Sequence, residues 1–435
     1  MAKHKNFRPS QHKENTFDFS SLLVYANEEE KAKFQEGLKQ HPLSSLLLTK
    51  EEQGKKLLER FPSLVPDKKD KLLFRFDKEE ERLGKSLEHF AGEFYLLDPS
   101  SAAISYYLAP LLPRDFVSMD LCGAPGGKTI ALDLRRRDGL YFCNDISYTR
   151  AIEITKNADR LGLENLCSFS LDPEKLRLRE CFDCVILDAP CSGSGMIRKE
   201  PKMALDYSKE KVERLLPLQK DLLEKAYSLL KKDGILAYST CSLSVEEDEK
   251  QIETFLFHHP YMEEIQVPIE EGFIQGLNNH GIHLVPGIYQ GEGIYFDLLK
   301  KKGGNRYPLT PLALAKGKED GLPHFAFKDN EYVVTRMMEE LVDLPFLSPG
   351  RKVFDKSEYA KGTYDHAYCK VASSLPHVSL TRDEAISYAS GNELRKEAPE
   401  GEVILTFEGY SLGFGKSNQG KIKNYLPKGL RAYLN

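Results

Sequence analysis

No stretch of the 435-residue chain approaches the ~18 consecutive apolar residues that a membrane-spanning helix needs. The opening residues, MAKHKNFRPSQHKENTFDFS, lack an apolar segment of signal-peptide type. A cytoplasmic protein with no membrane partner is therefore expected. Positive charge is not in surplus, since 61 Lys and Arg face 66 Asp and Glu for a net charge of −5. That excludes a uniformly basic nucleic-acid coat and confines any nucleic-acid contact to a local patch. The eight cysteines show no paired spacing of a disulfide framework, so free thiols are expected. Cys181-Phe-Asp-Cys184 has the spacing of a zinc half-site, yet no second C-x-x-C and no H-x-x-x-H follows it. Residues three apart in a strand also face opposite sides. No metal is expected. One further absence matters: DLCGAPGGKT (120–129) ends like a phosphate-cradling loop, but G-x-x-x-x-G-K-[ST] requires glycine where Cys122 stands. Pro125 also removes an N–H from a loop whose purpose would be to aim N–H groups at phosphates. The nucleoside-triphosphate reading fails.

Hydrophobic residues at 41% and charged residues at 29% are the proportions of a soluble globular chain, and the length implies two to four domains. From Phe116 onward, FVSMDLC (116–122), LYFCND (140–145), LCSFSLD (166–172), FDCVILDAPC (182–191) and ILAYSTC (235–241) are separated by helical patterns. This alternation predicts an α/β fold with a Rossmann-like, doubly wound parallel sheet. Sites in such sheets lie at the carboxyl ends of the strands. Asp120, Asp145, Asp172, Asp188, Cys191 and Cys241 all fall at or just past such ends, so they are predicted to converge on one crevice.

Around this core, residues 1–98 read as a charged, helical or mixed N-terminal RNA-binding or accessory module, and 99–302 as the catalytic domain. Residues 303–375 read as a linker and small intermediate domain, opened by the Gly-, Pro- and Lys-rich KKGGNRYPLTPLALAKG, and 376–435 as a small β-rich domain. The last contains SLGFGKSNQGKIKNYLPKGLRAYLN, in which Lys416, Lys421, Lys423, Lys428 and Arg431 are interleaved with Phe414, Tyr425 and Tyr433 and no acid intervenes. Cations among aromatics suit phosphate contact and base stacking, so this window is predicted to bind RNA.

A glycine-rich turn after the first strand and an acid after the second is how a doubly wound sheet holds an adenosine cofactor, the acid accepting hydrogen bonds from ribose hydroxyls. GAPGGK is not the G-x-G-x-x-G of an NAD site. S-adenosylmethionine carries no phosphates and suits a short turn with few aimed N–H groups, its carboxylate met by Lys128 or nearby backbone. Two central strands end in cysteine, in DAPCSGSGMIRK and YSTCSL, which suits thiolate chemistry; the plainer alternative is two buried small residues.

DLCGAPGGKT, DAPCSGSGMIRK and YSTCSLSVEEDE together resemble the signature blocks of the RNA cytosine-5 methyltransferases, the Nop2/Sun (RsmB/NOP) family, nearest its bacterial RsmF branch. FAGEFYLLDPSSA resembles that branch's approach to the first core strand, and the C-terminal window its PUA-like domain. The resemblance implies an S-adenosylmethionine-dependent methyltransferase that forms 5-methylcytosine in ribosomal RNA, with 16S RNA of the small subunit as target and partner. It also implies a covalent bond from Cys241, the nucleophile, to cytosine C6, and a role for Cys191 in resolving that adduct. Carried over by position, Cys122, Gly123, Ala124, Pro125, Gly126, Gly127 and Lys128 form the cofactor turn. Asp145 binds the ribose, Asp172 lies by the adenine, and Asp188 borders both cofactor and base. A monomer is expected. The chain departs from the family pattern at Gly123, where alanine is usual, at Asp145, where glutamate is frequent, and at Ser194, where glutamate is usual. The same chemistry on transfer RNA, or a non-catalytic RNA-binding or ribosome-assembly factor with this fold, are the alternatives at the level of sequence.

Overall fold

The structure, a computed structural model, describes residues 17–317, 320–355, 364–372, 374–432 and 434. The polar stretch before Phe17, and Tyr433 of the basic window, lie outside the described residues. The alternating apolar runs form strands β1 (Val117–Asp120), β2 (Leu140–Asn144), β3 (Leu166–Phe169), β4 (Phe182–Asp188) and β5 (Leu230–Thr240). These pair in parallel in the order β3-β2-β1-β4-β5, and β6 (Ile294–Lys301) joins antiparallel beside β5 within a 10-stranded sheet. Helices α1 (Gly127–Arg135), α2 (Tyr148–Leu161), α3 (Lys209–Leu229) and α4 (Glu249–His258) connect or flank these strands.

Strands covered on both faces must be apolar along their whole length. Accordingly Cys143, Cys184, Ile186 and Ala237 belong to one core cluster, while Phe142, Val185, Leu187 and Leu236 belong to a second. Cys181 and Cys184 fall into different clusters, so the C-x-x-C spacing holds two packed thiols rather than a ligand pair.

The N-terminal module is less helical than its charge pattern suggests. Leu43–Leu48 pairs antiparallel with Leu73–Asp77 and Phe94–Leu97, and Val65–Pro66 adds a fourth strand at the edge. The segment opened by KKGGNRYPLTPLALAKG does not behave as a free tether. Leu309, Leu312 and Leu314 pack against the second core cluster, and Phe346–Ser348 extends the catalytic sheet beside β3. Buried Arg351 donates to the carbonyls of Ala158 (3.1 Å) and Leu163 (2.6 Å) and to Asp159 (2.5 Å) at the end of α2. Glycine and proline here mark irregular backbone that is nonetheless packed.

At the C-terminus, His377–Ser379, Gly401–Phe407, Tyr410–Asn418, Lys421–Asn424 and Leu394–Arg395 make a five-stranded sheet beside the helix Arg382–Ala389. Glu88 of the N-terminal module, fully buried, accepts hydrogen bonds from Arg60 (3.3 Å) and from Arg382 (2.6 and 3.2 Å), which ties the two end modules together.

Candidate active site

The turn between β1 and α1 is shaped by close backbone packing. Gly126 has φ +105°, and a Cβ there would lie 2.8 Å from Ile130 Cδ1, so the entry into α1 requires glycine. The Gly123 N–H donates to the Asn144 carbonyl at 2.7 Å. A Cβ at position 123 would sit 2.3 Å from the Cys143 sulfur, so glycine for alanine is not a neutral exchange here: Cys143 occupies the space. Beneath the turn, buried Asp120 accepts from Thr129 Oγ1 (2.6 Å) and Cys122 N (3.3 Å), and burial lifts its carboxyl to about 7.

Asp145, just past β2, is buried. Its Oδ1 accepts from Ser147 N at 2.9 Å, whereas Oδ2 makes no hydrogen bond, the Arg150 guanidinium being 3.4 Å away. An orphaned buried carboxylate oxygen costs free energy unless a donor meets it, and a ribose hydroxyl is such a donor. Next to it opens a cavity of about 550 Å³ whose lining includes Cys122, Ile146, Asp172, Pro173, Pro190 and Leu218.

Sequence reasoning missed Ile146, which is 66% exposed beside this cavity. An apolar residue directly after a strand-end acid is the signal that marks it. It also missed Asn144, whose amide donates to the Leu121 (3.0 Å) and Leu171 (2.8 Å) carbonyls and accepts from Leu171 N (2.8 Å), tying the ends of β1, β2 and β3. Its signal is a polar residue closing an apolar strand.

At the ends of β4 and β5, outside the lining of that cavity, Asp188 lies opposite Ser239 in register. Ser239 Oγ donates to Asp188 Oδ1 (2.9 Å), and the buried Lys128 ammonium pairs with Oδ2 (2.6 Å). Lys128, expected with nearby backbone as a partner for the cofactor's carboxylate, is here paired with Asp188. Beyond them, Cys191 Sγ and Cys241 Sγ are 3.0 Å apart, and the Cys241 N–H donates to Cys191 Sγ at 3.2 Å. The hydrogen bond to Cys241 and burial together push the Cys191 thiol well above the ordinary thiol range. The two strand-end thiols thus form one unit, in which either sulfur can donate to the other.

Elsewhere, Asp248, Glu249 and His283 bring donor atoms within 4.8 Å of one another, and His283 Nε2 already shares a 2.8 Å hydrogen bond with Glu249 Oε1. Among the described residues no helix is long and apolar enough to cross a membrane.

The predicted RNA window stands apart from the crevice in sequence and on its own sheet. Lys416, Lys421, Lys423, Lys428 and Arg431 are all exposed. Lys416 lies directly opposite Lys423 on one neighbouring strand and opposite Glu402 on the other, so an acid of the chain itself stands beside this like-charge pair. Phe414 is no stacking platform: it is buried with Val353, Tyr368 and Ile404. Tyr425 is half-buried, with Lys423 Nζ 6.0 Å from its ring centre.

A parallel sheet of this order, with a cavity of about 550 Å³ beside the carboxyl ends of its strands, defines a Rossmann-like core to which a small β-domain is appended. Residues 106–300 match the family model described as 16S rRNA methyltransferase RsmB/F, and residues 375–432 match the methyltransferase RsmF PUA domain. These two matches join the catalytic region and the C-terminal domain to the same kind of methyltransferase. The ribosomal RNA small subunit methyltransferase F of Shewanella loihica is 28% identical over 389 residues, 80% of each chain. That of Shewanella woodyi is 29% identical over 392 residues, 81% of each. Two solved structures share the fold. NSun6 from Pyrococcus horikoshii with SFG, 18% identical, aligns at a TM-score of 0.57 over 66% of this chain and 97% of that one. A methyltransferase homolog protein from Pyrococcus horikoshii, 24% identical, aligns at 0.55 over 65% and 94%.

Proposed function

We propose that this enzyme methylates C5 of a cytosine in 16S ribosomal RNA through a covalent bond between Cys241 and cytosine C6. The observation that carries the reading is the pair of thiols 3.0 Å apart, beside an Asp188 fixed from both sides. S-adenosylmethionine supplies the methyl group as a sulfonium electrophile, and the orphaned Asp145 Oδ2 and the adjoining cavity fit its ribose and adenine. Cytosine C5 becomes nucleophilic only after addition at C6, and a thiolate is suited to reversible addition. The Cys241 thiolate forms the S–C6 bond, and the C5=C6 electron pair then takes the methyl group. The adduct still carries the C5 hydrogen. Removing it as a proton leaves the C5–H electron pair to re-form C5=C6 and expels the Cys241 thiolate with the S–C6 pair. Cys191 lies within reach, and its raised proton affinity makes it a strong base once its own proton has left. Asp188 is placed for the N3/N4 edge of the base, which must leave its stack at a cost of a few kcal/mol.

A pH dependence follows from Cys191. Because its thiol is held above the ordinary range, the basic form grows as pH rises from neutral to alkaline, so adduct resolution quickens in that direction. Resolution of a preformed covalent protein–RNA adduct, followed on denaturing gels after a pH jump, is expected to quicken as pH is raised, whatever the covalent fraction during turnover. A resolution rate indifferent to pH removes Cys191 as the base. The target is tested by bisulfite sequencing of ribosomal RNA from a strain lacking the gene: at least one 16S cytosine is expected to lose its methyl group, and an unchanged 16S pattern refutes the assignment.

The basic window carries a separate expectation. Glutamine at Lys416, Lys421, Lys423 and Lys428 and at Arg431 should weaken RNA binding and flatten its log–log salt slope by roughly 0.7–0.9 for each phosphate no longer neutralised, with cofactor affinity intact. Substitution is preferable to deleting the domain, because Val378 and Leu405 share a core with Leu87 and Ala91. An unchanged slope would make these cations a solvated surface only.

A further inference from the structure

Glu247, six residues beyond Cys241, is fully buried, and among the described residues no lysine or arginine pairs with it. Its Oε1 accepts hydrogen bonds from Ser192 N (2.8 Å) and Gln219 Nε2 (3.1 Å), and its Oε2 accepts from Ser242 Oγ (2.7 Å). Ser192 follows Cys191 and Ser242 follows Cys241 in the chain. One carboxylate therefore grips the residue next to each strand-end thiol, through three donors.

The grip is itself fixed. Tyr238 Oη donates to the Glu247 carbonyl (2.7 Å), Gln219 also donates to the Pro190 carbonyl (2.9 Å), and Ser242 Oγ accepts from Ser244 N (2.9 Å). The two cysteine loops meet again where Gly195 N donates to the Cys241 carbonyl (2.9 Å) and Ser194 Oγ accepts from Leu243 N (2.8 Å). The side chains that make these cross-links, Ser192, Ser194, Gln219, Tyr238, Ser242 and Glu247, are all buried.

We propose that Glu247 is a positioning residue that locks the two cysteine loops together and sets the thiol separation on which resolution of the adduct depends. The proposal rests on the covalent reading above. Glu247 also acts on Cys191 by charge: with Cys241 and Asp188 it is among the negative groups that favour the protonated thiol, while Lys128 is occupied by Asp188 and Lys211 by the Ser192 carbonyl. Removing the Glu247 charge therefore lowers the proton affinity of Cys191.

The test uses full-length Glu247→Gln and Ser242→Ala with an RNA substrate. In Glu247→Gln, turnover is expected to fall about 10–100-fold, as when a residue that orients a reacting group is lost. Cofactor affinity by calorimetry should hold, covalent protein–RNA species should accumulate on denaturing gels, and the pH profile of their resolution should move to lower pH. Ser242→Ala keeps the charge but opens one arm of the grip, so it should raise the covalent fraction without moving the profile; it also serves if the glutamine variant does not fold. Wild-type resolution with an unmoved profile in Glu247→Gln, or a wild-type covalent fraction in Ser242→Ala, overturns the proposal. If the wild-type enzyme itself forms no adduct on 5-fluorocytosine RNA, the covalent reading fails first and the proposal falls with it.

Discussion

Replacing Cys241 by alanine is expected to lower methylation by roughly four orders of magnitude or more, the scale on which enzymes lose rate with their nucleophile, and to abolish every covalent protein–RNA species. Replacing Cys191 by alanine is expected to do the opposite to the second quantity. The adduct then forms and takes its methyl group, but nothing beside it removes the C5 proton, so a species that survives denaturing electrophoresis accumulates. The double variant should show none. With the two sulfurs 3.0 Å apart, a thiol that attacks C6 leaves the other beside the same base, so loss of either one has a distinct outcome. Adduct from Cys241→Ala and none from Cys191→Ala would exchange the two roles while leaving the reaction class in place.

The second large effect is expected at Asp145. Alanine there removes a buried carboxylate oxygen that has no internal hydrogen bond, and cofactor affinity should fall by about 1.5–3 kcal/mol, the scale of a hydrogen bond to a charged group. RNA affinity should be nearly unchanged, because the cationic window and the thiols lie elsewhere. Asparagine, which keeps the acceptor to Ser147 N, should lose less. Calorimetry showing equal cofactor affinity in Asp145→Ala would dismiss the ribose assignment.

The strand ends of the crevice were legible because parallel strands must be apolar throughout, so a polar or thiol residue at their carboxyl ends stands out against the run before it. That rule located Asp120, Asp145, Asp188, Cys191 and Cys241. It could not show that Lys128 turns to Asp188, nor that Cys143 fills the space beside Gly123, because both depend on how far a side chain reaches across to another strand. Glu247 escaped for the same reason: in VEEDEK it is one acid among four, and its burial is a product of where α3 and the two cysteine loops meet. The sheet of the N-terminal module was hidden by length, since LSSLLL and FYLL are too short for periodicity to separate strand from buried helix. Phe414 misled because aromatics between lysines look like a stacking surface. Only tertiary packing turns that ring inward against Ile404.

The union of the end modules through Glu88 bears on how the protein is made. Glu88 and Arg382 are 294 positions apart, and the apolar face of Leu87 and Ala91 is covered by Val378 and Leu405. A chain leaving the ribosome presents its catalytic sheet complete while that face is still open to water and Glu88 has only Arg60 for company. The first module therefore finishes folding after the last has been synthesised. A product of premature termination would keep the reactive crevice yet display an unsealed apolar patch beside a half-neutralised buried acid, the kind of surface that chaperones and proteases engage.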